Sequence, residues 1–107
     1  MNVDYEIFEN LNESISEIPP GSIISKTIYK SENHKVILFG FSPGQELSDH
    51  TSSANAIIHI VRGKGVIKVA GDTISAVEGT WIHMKPEIPH SVNALSDLYM
   101  LLYLFPA

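Results

Sequence analysis

The chain contains no cysteine. Disulfides, thiolate metal ligands and a cysteine nucleophile are therefore excluded. Positive charge is scarce: seven Lys and Arg stand against twelve Asp and Glu, for a net charge of −5. The seven are scattered without a basic cluster, so a nucleic-acid interface has no electrostatic footprint. An anionic membrane surface is disfavoured for the same reason. The longest apolar run, LYMLLYLF, is far too short to cross a bilayer. The opening segment MNVDYEIFENLNES is acidic and polar, unlike a secretory signal, and the cytoplasm is the expected location. There is no phosphate-binding loop of the G-x-x-x-x-G-K type.

What is present is β-structure. At 107 residues the chain has room for one domain with a core of modest size. Residues 1–20 carry weak helical spacing at Phe8, Leu11 and Ile15 and end at Pro19-Pro20-Gly21. This segment reads as an N-terminal arm or short helix lying over the outside of the domain or over a partner. Residues 21–107 read as about nine short strands at close spacing, with no convincing helix among them. Gly71-Asp72 marks a tight hairpin within VIKVAGDTISAV. Such a chain is an all-β sandwich or barrel. KVILFGF and LYMLLYLF are apolar on both faces, whereas a strand wetted on one side alternates. One face is expected to look into the barrel and the other to be covered by a second sheet or a second subunit, so a homodimer is expected.

Two segments resemble the cupin superfamily. The first motif of that family reads G-x5-H-x-H-x3,4-E-x6-G, and Gly44, His50, Ser52, Ala56 and Gly63 occupy its spacing. The second reads G-x5-P-x-G-x2-H-x3-N, and Gly79, Lys85, Glu87, His90 and Ala94 occupy it. The resemblance covers roughly residues 36–105 and implies a cupin-type jelly-roll β-barrel. In the family, two histidines and the glutamate of the first motif and the histidine of the second hold one divalent metal. Here only His50 and His90 remain, because Ser52 replaces a histidine and Ala56 the acid.

His50 and His90 are the leading candidates for metal or substrate contact, imidazole being the commonest ligand for zinc, copper, iron and nickel. If Ala56 faces inward, His59 faces out, because side chains alternate along a strand. A bulge would reverse this and give a cluster of His50, His59 and His90. Ser52 and Ala56 are expected to line the same cavity, with Tyr99, Leu101 and Tyr103 as its wall, since tyrosine has an apolar body and a polar tip. His34 is expected in a solvated turn. The resemblance implies a divalent metal (Zn, Mn, Fe, Ni or Cu), no organic cofactor, and metal-assisted oxidation or isomerisation of a small organic molecule. The alternative is a metal-free cupin that binds a small ligand without catalysis.

Overall fold

The structure, a computed structural model, describes residues 4–107. Nine strands follow a single turn of 3-10 helix at Leu11–Ser14. They are β1 (Ile23–Lys30), β2 (Lys35–Phe41), β3 (Glu46–His50), β4 (Asn55–Arg62) and β5 (Gly65–Val69), then β6 (Asp72–Ala76), β7 (Trp81–Met84), β8 (His90–Ala94) and β9 (Leu98–Phe105). They form a five-stranded sheet in the order β1-β2-β9-β4-β7 and a four-stranded sheet in the order β3-β8-β5-β6. Every pairing is antiparallel. This is the all-β, cupin-type architecture expected from the sequence.

The core lies between the sheets and follows from strict alternation. Ala56, Ile58 and Ile60 of β4 and Leu98 and Met100 of β9 are buried there, against Ile67 of β5 and Val92 of β8. The β5–β6 hairpin closes on the pair Val69–Asp72, with Ala70 and Gly71 at φ 49° and 94°. Two consecutive positive φ values are what a type I′ two-residue hairpin turn requires. The turn is thus one residue earlier than the Gly71-Asp72 expected from sequence.

The second apolar face of β2 and β9 is partly covered by the chain's own arm. Ile15 packs with Leu38 and Leu101, and Leu11 and Ile18 lie against the same cluster. Asn10 caps the single helical turn, its side chain accepting a hydrogen bond from the Asn12 amide at 3.0 Å. Gly40 makes the docking possible, since a Cβ there would stand 3.0 Å from Ile18 Cγ1. The same cluster takes in Val61 near the end of β4, whereas Trp81 of β7 remains 57% exposed. Among the described residues, no helix is long and apolar enough to cross a membrane.

Candidate functional site

β3 and β8 pair at one edge of the four-stranded sheet, with Leu47 opposite Val92 and His50 opposite His90. The register slips by one residue between these two pairs. Leu47 packs on the core, so uninterrupted alternation would turn His50 away from it. The irregularity restores the parity and sets His50 on the same face as His90. The two rings lie with centroids 4.1 Å apart and planes inclined at 60°.

Both rings are held by the same local device. His50 Nδ1 lies 2.9 Å from the Ser48 carbonyl, and His90 Nδ1 lies 2.9 Å from the Ile88 carbonyl. A carbonyl can only accept, so each Nδ1 carries the proton. In the neutral ring Nε2 is then left as a free acceptor. His90 is buried, at 4% exposure, whereas His50 is open to solvent. Burial pushes the His90 pKa below its ordinary value of 6.5. The Ile88 carbonyl opposes that shift, the His50 charge adds to it, and Asp49 opposes it. His90 is therefore a neutral imidazole at pH 7. The pair opens into a cavity of about 390 Å³. Ala56, Leu102 and Leu104 make its apolar side, and Thr51, Ser52 and Ser53 make its hydroxyl rim. The rim is tied to the β7–β8 loop by the Glu87 amide, which donates to the Ser52 carbonyl at 2.8 Å.

His50, His90, Ser52 and Ala56 thus meet at one cavity, while the other candidates lie elsewhere. His59 stands opposite Trp81 and Leu101 on the outer face, and its neighbours Ile58 and Ile60 occupy the core. The register break in β4 falls between Ile60 and Arg62, past His59, so the three-histidine cluster does not form. Tyr99 and Leu101 pack on the outer face with the arm. Tyr103 is 36% exposed on that same face. The wall of the histidine cavity is instead supplied by Leu102 and Leu104, the alternate residues of β9. His83 lies outside as well, 2.9 Å from Asn55 Oδ1 through Nε2 and stacked on Phe105. His34 is exposed in the β1–β2 turn.

The family resemblance implies a divalent metal at these donors. The cavity offers two imidazole nitrogens, and Ser52 and Ala56 occupy the places of the missing ligands. Among the described residues, no group of three or more His, Asp or Glu side chains is placed to hold an ion. Catalytic metals use three protein ligands with an open position. The donor set present does not fit that arrangement.

Comparison with known proteins agrees with the architecture. No curated protein sequence matches the chain significantly. A conserved protein of unknown function from Streptococcus pyogenes superposes with a TM-score of 0.85 at 25% identity, over 100% of this chain and 93% of that one. A cupin superfamily protein from Desulfitobacterium hafniense gives a TM-score of 0.82 at 19% identity, over 88% of this chain and 86% of that one. A cupin 2 conserved barrel domain protein from Leptotrichia buccalis gives 0.82 at 29% identity, over 90% of this chain but 46% of that one. The family model of the AraC-like ligand binding domain matches residues 37–106, which run from within β2 through β9 and include His50 and His90. The chain therefore belongs to the AraC-like ligand binding domain family and has the cupin fold.

Proposed function

We propose that the chain binds a small organic molecule at the mouth of the barrel, with His50 and His90 as its polar contacts. The observation that carries this is the matched anchoring of the two rings. Each Nδ1 is spent on a backbone carbonyl, and each Nε2 is left as an acceptor beside an apolar floor. A few placed polar groups on a largely apolar pocket is the usual make-up of a small-molecule site. Two acceptors side by side suit a ligand that presents hydroxyl or N–H donors. A divalent ion at this pair would need water in its remaining positions and would be held weakly. Titration of ligands against His50→Ala and His90→Ala tests the reading. Binding that survives both substitutions would remove the site from the histidine pair.

The second element of the proposal is a homodimer. Ile57 and Trp81 lie on the outer face of the five-stranded sheet, outside the cluster that the arm forms with β1, β2, β9 and Val61 of β4. Exposed Trp81 and its neighbour Ile57, beside a covered stretch of the same face, suit a second copy related by two-fold symmetry.

A further inference from the structure

We propose that the ligand of this cavity is a small organic acid, its carboxylate held by Lys30 and Lys35 while its other end meets the histidine pair. The inference rests on the histidine cavity being the ligand site and adds the chemical class of the ligand. Strand register carries it. Lys30 stands opposite Lys35, Lys35 opposite Leu104, and Leu104 opposite Ala56. Residues directly opposite in antiparallel strands share a face. The two lysines therefore belong to the concave row that contains Ala56 and Leu104, which line the histidine cavity. With strands about 4.8 Å apart, Lys35 on β2 lies roughly 10 Å from Ala56 on β4.

Leu104 borders open space on both sides along that row. A second cavity of about 370 Å³, bordered by Lys30, His34, Lys35 and Ala54, shares Leu104 as a lining residue with the first. Two ammonium groups on directly opposed positions repel each other, and a carboxylate between them would relieve the repulsion. Glu32 on the same turn also borders this cavity, and two lysines outweigh its single charge. The whole chain carries −5, so an anion finds attraction here against a repulsive background. The required ligand has an acid at one end, an apolar body to cross Leu104, and a hydroxyl donor for the Nε2 atoms.

The test uses 4-hydroxyphenylacetate and its neutral alcohol analogue tyrosol, titrated into isotope-labelled full-length protein and followed by amide chemical shifts. The acid should shift signals of both the His50–His90 pair and residues 30–35, and bind roughly tenfold or more tightly than the alcohol. Lys30→Ala with Lys35→Ala should abolish that preference and leave tyrosol affinity unchanged, and both sites are exposed or half-buried, so the fold tolerates the change. Equal affinities for acid and alcohol, or an unaffected double variant, overturn the proposal while the histidine cavity stands. Shifts confined to residues 30–35 overturn it too, because the acid then sits apart from the histidines. If neither probe perturbs His50 or His90 at millimolar concentration, the cavity reading falls and this one with it.

Discussion

His90 couples the site to stability. Its folded pKa lies below the ordinary 6.5, so near that pH the unfolded chain binds more protons than the folded one. The stability this implies is complete above 6.5 and is lost as pH falls from there toward the depressed folded value. His50 and Asp49, which bear on the same ring from β3, push in opposite senses. Thermal melts should therefore show the melting temperature dropping just below pH 6.5, and His90→Gln should flatten that segment of the profile. Ser52 and Ala56 allow a second experiment. Both side chains line the cavity, so Ser52→His with Ala56→Glu places two more donors beside the imidazoles. Calorimetry should find zinc bound at least about tenfold more tightly than by the natural chain. Ala56 is only 2% exposed, so the metal-free variant should also be less stable, a buried carboxylate being costly without its ion. Glu87 offers a third. It occupies the glycine place of the second motif and adopts φ 68°. Glu87→Gly should raise stability by about 1 kcal/mol in denaturant unfolding, because the left-handed conformation costs a residue with a Cβ.

At the scale of elements, Gly63 joins β4 to β5 at φ 98°, and a Cβ there would run into the Asp97 carbonyl. Gly63→Ala should cost about 2 kcal/mol or more, read from the denaturation midpoint. The strands themselves were legible, because β-branched runs and turn residues punctuate the chain from Ile23 to Phe105. The glycine and histidine spacing was equally legible, and it pointed to His50 and His90. Two things were not. LYMLLYLF is apolar on both faces, so periodicity could not say which face looks inward. That depends on β9 pairing with β4 so that Leu104 meets Ala56, a non-local fact. The irregularity in β3 was also invisible. Nothing in ELSDH signals an extra residue, yet it is what points His50 toward His90. A bulge was weighed at His59 in β4, whereas the break in that strand falls beyond it.

For the whole molecule, the exposed Trp81 on the outer sheet face predicts self-association. Sedimentation equilibrium at micromolar concentration should give a dimer mass, and Trp81→Glu should shift it toward monomer without loss of fold, since Trp81 is already 57% exposed. A monomer mass for the unmodified chain would remove the homodimer from the proposal. Charge predicts the opposite for nucleic acid, because two lysines at the barrel mouth make no footprint on a chain of −5. Anisotropy titrations at physiological salt should show no binding to generic DNA or RNA. The sheet order also dictates when the fold can exist. β9, the last strand described, lies between β2 and β4 at the centre of the five-stranded sheet. While the ribosome is still extending the chain, the β1–β2 hairpin and the β4–β7 pair, which is separated in sequence by β5 and β6, have no strand to join them. Both must wait, with apolar faces open to water, until residues 98–105 have cleared the exit tunnel. A nascent chain stalled before Leu98 should therefore stay protease-sensitive along its length, and the barrel should close only after its final strand is released.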